Sequence, residues 1–133
     1  MSGRAGERPR RPDRYALLEM RALVERIVLL RDDGGRQRYF AEEDHRWLIH
    51  RLWIAVGNEA VAYAQAVGLD PYHDEPWNRL RRLRNDIAHK RLADLDDEGV
   101  WRTTQVRPEG LLARLAELIQ RDLPIPYSLD VSL

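Results

Sequence analysis

The sequence predicts an all-α protein, an up-and-down bundle of about five helices. Three observations carry the prediction. Apolar residues recur at helical spacing along several separate stretches. No stretch alternates apolar and polar residues as a half-buried strand would. Turn-forming residues collect between the periodic stretches, as in "DDGG" (32–35) and "GLDPYHDEP" (68–76).

Residues 1–12, "MSGRAGERPRRP", have almost nothing to bury and read as a disordered basic arm. Residues 13–133 then form a single helical domain. The first helix is expected from Asp13, as N-cap, to about Arg31, with Met20, Leu23, Ile27 and Leu30 on one face. "DDGG" ends it. A longer helix is expected from about Ala41 to Val67. Its middle, "WLIHRLWIAVGNEAVAYAQAV", is apolar nearly all round, as in a helix packed on several sides. The prolines at 71 and 76 break the chain before a third helix, from Glu75 or Trp77 to Lys90. Asp94 or Asp96 can cap a short fourth helix reaching about Thr104. Pro108 suits the first turn of a fifth, with Leu111, Leu112, Leu115, Leu118 and Ile119 as its buried stripe. The final "DLPIPYSLDVSL" is not expected to stay helical past its prolines.

Of the 133 residues, 44% are apolar and 33% charged, which suits one amphipathic globular domain. No apolar run approaches the roughly 20 residues that span a bilayer, and no charged-then-apolar leader starts at Met1. With 0 cysteines there is neither a disulfide framework nor a thiolate metal site, and the expectation is a cytoplasmic protein. Lys+Arg number 22 and Asp+Glu 22, a balance unlike that of proteins that coat duplex DNA. A local basic patch can still capture phosphates. Lys90 is the lone lysine, so arginine supplies 21 of those 22 cations and only its positions are informative.

One position stands out in "RLRRLRNDIAHKR", residues 79–91. On a helical wheel, Arg84 falls about 40° from Leu80, inside the stripe made by Trp77, Leu83 and Ile87. Asn85 and His89 are i, i+4 neighbours on another face, flanked by Arg81 and Arg82. A buried guanidinium needs a partner. Glu59, equally out of place in the apolar second helix, is the candidate, in which case Arg84 simply bridges two helices. Alternatively Arg84 and His89 edge a groove that holds a phosphate. RNA cleavage needs no metal when the neighbouring 2′-OH attacks phosphorus. Histidine can take that proton or give one to the leaving 5′-oxygen, and an arginine fork matches the non-bridging oxygens. One histidine does not easily make both transfers, so two copies facing across a dimer would help. Asn85 could orient His89 or a phosphate oxygen. The spacing alone is weak, but of His45, His50, His73 and His89 only the last has an arginine five residues earlier.

Residues 77–101, "WNRLRRLRNDIAHKRLADLDDEGVW", resemble the HepT-like branch of the HEPN superfamily. The resemblance rests on Trp77, Arg84-Asn85-x-x-x-His89, the acidic run Asp94–Glu98, and Val100-Trp101. "AVGNEAVAYA" (55–64) also looks like the Gly-x-Glu-Ala element of the preceding helix in that family. It implies a helical homodimer whose two Arg-to-His motifs meet in a cleft. It implies a metal-independent ribonuclease, typically the toxin of a toxin–antitoxin pair, partnered by a minimal nucleotidyltransferase antitoxin. Carried over by position, His89 is the general acid/base, Arg84 the phosphate clamp and Asn85 a supporting polar residue. Arg81, Arg82 and Arg91 are candidate RNA-phosphate contacts. Arg91 is also a departure, since the family often carries there the tyrosine that the antitoxin adenylylates. The other reading is therefore a non-enzymatic helical module that dimerises and binds the nucleotidyltransferase or a nucleotide.

The remaining candidates are plainer. "YHDE" (72–75) has metal-ligand residue types but no second cluster at ligand spacing, so a solvated turn is expected. His45 and His50 are read as satisfied core or interface histidines. The four tryptophans are read as core, with Trp47 or Trp53 as interface candidates. No Gly-rich phosphate loop or nucleophile elbow is present, and neither a cofactor nor a metal is expected.

Overall fold

A computed structural model describes residues 10–122. Every regular element among them is helical: α1 (Arg10–Asp32), α2 (Gly35–Ala41), α3 (Glu43–Ala66), α4 (Trp77–His89), α5 (Asp97–Val106) and α6 (Pro108–Asp122), with a 3₁₀ turn at Leu92–Asp94. Residues 1–9 of the expected arm and the proline-rich end, 123–133, lie outside the described residues.

The apolar spacing explains the packing. In α3, Ile49, Trp53, Val56, Ala60 and Ala64 recur every three or four residues and are all buried. They meet the α1 stripe of Leu17, Met20, Val24 and Ile27, and this α1–α3 seam is the centre of the core. Leu111, Leu115, Leu118 and Ile119 lay α6 against α1. Trp77 and Leu80 lay α4 against α3, where the Trp77 and Tyr63 rings sit 4.9 Å apart. Trp53 is fixed by its indole N–H, which donates to Thr104 Oγ1 on α5 at 2.9 Å. No helix among the described residues is long and apolar enough to cross a membrane.

Two expectations change, and a third is narrowed. The first helix starts at Arg10, so Asp13 lies within it rather than capping it, and the arm's last residues are helical. The segment between "DDGG" and the long helix forms α2, which buries Tyr39 completely. Gly34 and Gly35 hold φ of 95° and 60°, backbone that L side chains rarely adopt, and so fold α2 back beside α1. Glu42, extended at φ −116° and ψ 107°, separates α2 from α3. Of the two aspartates offered as a cap, Asp96 is the one used, accepting from Gly99 N–H at 3.0 Å, while Asp94 sits in the 3₁₀ turn.

His45 and His50 are core histidines with partners: His45 Nε2 lies 2.9 Å from the Leu30 carbonyl, and His50 Nε2 lies 2.6 Å from the Tyr39 hydroxyl. Trp53 is core, whereas Trp47 is 41% exposed. The "YHDE" turn closes on its own chain, with His73 Nδ1 at 2.5 Å from Asp70 Oδ2 and Asp70 N–H donating to Asp74.

Candidate functional site on helix α4

The position of Arg84 is set by a glycine on the opposing helix. A Cβ on Gly57 would lie 2.4 Å from Arg84 Cβ and 2.9 Å from the Leu80 carbonyl oxygen. Only a bare Cα lets α3 and α4 approach this closely. The first carbons of Arg84 therefore take the apolar position that the helical wheel assigns them. The guanidinium then leaves the seam, so the side chain is half-buried and its charged end reaches the surface.

Two amides hold that end. Arg84 Nε and Nη2 donate to Asn85 Oδ1 at 3.0 and 2.8 Å, and Nη1 donates to Asn58 Oδ1 on α3 at 3.1 Å. Glu59 is not the partner. The 100° step between residues 58 and 59 turns Asn58 toward α4 and Glu59 toward α1, beside Tyr15, Leu18 and Glu19. There, burial and the neighbouring Glu19 push the Glu59 carboxyl above its ordinary range. Among the described residues no carboxylate pairs with Arg84. No internal carboxylate offsets its charge, and three of its five N–H groups are used by these amides.

The Nε and Nη2 hydrogen bonds tie the guanidinium to Asn85, and His89 lies one helical turn beyond Asn85 on the same face. His89 is the last residue of α4 and is exposed. Lys90, extended at ψ 150°, ends the helix immediately after it.

The three flanking arginines differ. Arg81 is engaged by its own chain: Nε donates to the Pro71 carbonyl at 3.2 Å, Nη2 donates to Asn78 Oδ1 at 2.9 Å, and its guanidinium lies 4.3 Å from the centre of the Tyr72 ring. It pins the 68–76 turn to α4. Arg82 and Arg91 are exposed. An open concavity of about 620 Å³ beside Arg82 and Asn85 extends past Leu83 to Arg79 and Thr103.

A second polar group of suggestive composition lies elsewhere. The Tyr39 hydroxyl faces His50 Nε2, Asp97 Oδ1 is 3.8 Å from the same nitrogen, and Arg46 Nε is 3.9 Å from Asp97 Oδ2. His50 is 5% exposed and Tyr39 fully buried. Burial pushes the His50 imidazole down to about 4, although Asp97 pulls the other way. Burial also raises the Tyr39 phenol above its ordinary range, helped by Asp97. The hydroxyl thus donates to a neutral imidazole, which ties α2 to α3 with no route for a substrate.

Gly57 and Asn58 are what sequence reasoning missed. Both lie in the quoted "AVGNEAVAYA" stretch, and the available signal was a glycine beside a polar residue within an otherwise apolar helix. No family model, curated protein or solved structure matches the chain.

Proposed function

We propose that this protein is a metal-independent endoribonuclease toxin of a toxin–antitoxin pair, acting as a homodimer, with Arg84 and His89 as its working residues. The observation that carries the reading is the state of Arg84. It is a half-buried guanidinium held by two neutral amide oxygens and no carboxylate, bonded to Asn85, which stands one helical turn before an exposed His89. A purely structural bridge would gain more from a carboxylate at position 58. An anion-binding site gains from its absence.

In the proposed reaction the 2′-OH loses its proton to the imidazole of one protomer as its oxygen attacks phosphorus. The P–O5′ bond breaks, and the leaving 5′-oxygen takes a proton from the imidazolium of the other. Arg84 holds the non-bridging oxygens as their charge builds. Asn85 holds the guanidinium fork in place, and Arg82 and Arg91 extend the phosphate track; Arg81, bonded to Pro71, is not assigned to it. The partner is a minimal nucleotidyltransferase antitoxin, and Arg91 directs its neutralisation to another tyrosine or to steric cover.

The test is cleavage of total RNA by purified protein in excess chelator. The expected products end in 2′,3′-cyclic phosphate, and Arg84→Ala and His89→Ala each abolish them while the dimer persists. Cleavage that survives both changes, or that requires added metal, refutes the reading.

The α3–α4 bridge through Asn58 favours a second reading, a non-enzymatic helical interaction module. In that case Arg84→Ala dissociates or unfolds the protein, and induced expression leaves growth and RNA intact.

A further inference from the structure

A second concavity lies outside the Arg84–His89 site. Helix α4 packs on α3, whereas α5 and α6 pack on α1, and between them a cleft of about 480 Å³ remains. Its floor is apolar, made by Trp53, Leu80 and Leu111, with Leu83 and Val106 as walls. Val106 is 61% exposed although it is aliphatic, and the α4–α6 gap is the surface it faces. The volume falls in the range that encloses a ligand of drug or nucleotide size.

The rim is cationic. Arg79 from α4, Arg107 from the α5–α6 junction and Arg114 from α6 line it, against the single carboxylate of Glu75. Among the described residues the guanidiniums of Arg79 and Arg107 have no hydrogen-bonding or ion-pair partner, and Arg114 has only an exposed 3.5 Å contact with Glu117. Three arginines outside the cleft are matched by carboxylates, Arg31 by Glu109, Arg36 by Glu98, and Arg38 by Asp33 and Glu42, whereas the rim places two unmatched ones around one opening. Unmatched cations at the mouth of an apolar cleft call for a ligand with anionic oxygens and an apolar body.

Two polar groups narrow the class. The Thr103 hydroxyl can donate or accept, and Glu75 spends only part of its acceptor capacity on Arg79 N–H at 3.0 Å and Asn78 Nδ2 at 3.2 Å. A heterocyclic base with ring and exocyclic N–H groups can bond to both, whereas an acyl chain engages neither. We propose that this cleft binds a nucleoside phosphate unit, with the base against Trp53, Leu80 and Leu111 and the phosphate on Arg79 and Arg107. The assignment needs no chemistry at His89 and stands apart from the cleavage reading. The unit comes either as a free mononucleotide or within single-stranded RNA, because the cleft shares Arg79, Leu83 and Thr103 with the concavity beside Asn85.

The experiment is calorimetric titration of the full chain with the four ribonucleoside monophosphates, with a 2′-O-methyl octanucleotide that cannot be cut by 2′-OH attack, and with oleate. A nucleotide probe is expected to bind. Arg79→Glu with Arg107→Glu weakens that binding about tenfold or more, from two lost charge-assisted contacts. Leu83→Trp, which fills the cleft, removes it. Should the double variant melt early, Arg114→Glu, on an exposed face of α6, serves in its place with about a threefold loss. Equal affinity for monomer and octamer identifies a free nucleotide as the ligand, and binding of the octamer alone identifies a strand. The proposal is overturned by no nucleotide binding, by binding that the variants leave unchanged, or by oleate binding alone. RNA cleavage assayed in parallel separates the two ideas, since either can fail while the other holds.

Discussion

His50 and His89 stand in the same fold, each with an arginine nearby, and their surroundings are opposite. His50 faces a buried hydroxyl and a carboxylate, and its arginine neighbour, Arg46, spends its Nη1 on the Tyr39 and Phe40 carbonyls. His89 is exposed at a helix end, and its arginine is held by amides that do not neutralise it. The first group uses its polarity to close three helices on one another. The second leaves its polarity available. The Tyr–His–Asp group has the residue types of an active site but is buried, whereas His89, which the sequence singles out, is accessible.

The largest effect that tests this contrast is on activity. His89→Ala should lower RNA cleavage by about 10²–10⁴-fold with an unchanged melting temperature. His50→Ala should do the reverse, costing stability while the rate per folded molecule stays the same. If His50→Ala removes activity from a protein that is still folded, the contrast fails.

Next in size is the response to acid. Because the folded His50 titrates near 4 and an unfolded histidine near its ordinary 6.5, the unfolded chain takes up the proton first. Stability from this group is complete above about pH 6.5, falls as pH drops toward 4, and is level below that. The loss is on the order of 3 kcal/mol at most, and denaturant midpoints against pH would trace it. His50→Gln should flatten that part of the curve. A slope that persists in the variant would assign the dependence to other groups.

Smaller again is Gly57→Ala, which puts a methyl group 2.4 Å from Arg84 Cβ and close to backbone at Leu80. The cost should be about 1–3 kcal/mol, because a carbonyl cannot swing aside as a side-chain tip does. A chemical denaturation midpoint equal to the parent's would mean that the seam is looser than its geometry.

The smallest expected change in stability is the most informative. Asn58→Asp places a carboxylate against Arg84 and should stabilise the α3–α4 seam by under about 1 kcal/mol. It should also weaken RNA binding and cleavage, since the guanidinium is then neutralised internally. Gains in both stability and cleavage would refute the argument from uncompensated charge.

Much of the architecture was legible because α1, α4 and α6 each carry one apolar stripe, and a stripe states which side is covered. Legibility stopped where that signal stops. Helix α3 is buried on several sides, so nothing in its pattern says which of two adjacent residues, Asn58 or Glu59, meets α4; opposite charge made Glu59 the natural choice, and a 100° step made it wrong. Helix α2 has 7 residues, from the second glycine of the pair to the residue before Glu42, too short for a period to show. The Asp13 cap failed because the helical path extends through Arg10, and Arg-Pro sequence does not disclose that. At the site itself, the departure of Arg84 from the wheel was visible, and the glycine that makes room for it was not.

The one-sided seating of α4 has a mechanical consequence. Seated chiefly on α3, through Trp77, Leu80 and the Gly57 crossing, it should open before the α1–α3 centre does. Amide protons along α4 should therefore exchange with solvent sooner than those of α1. Occupancy of the gap on its far side should slow them, which couples any ligand there to the steadiness of the arginine and histidine that α4 carries.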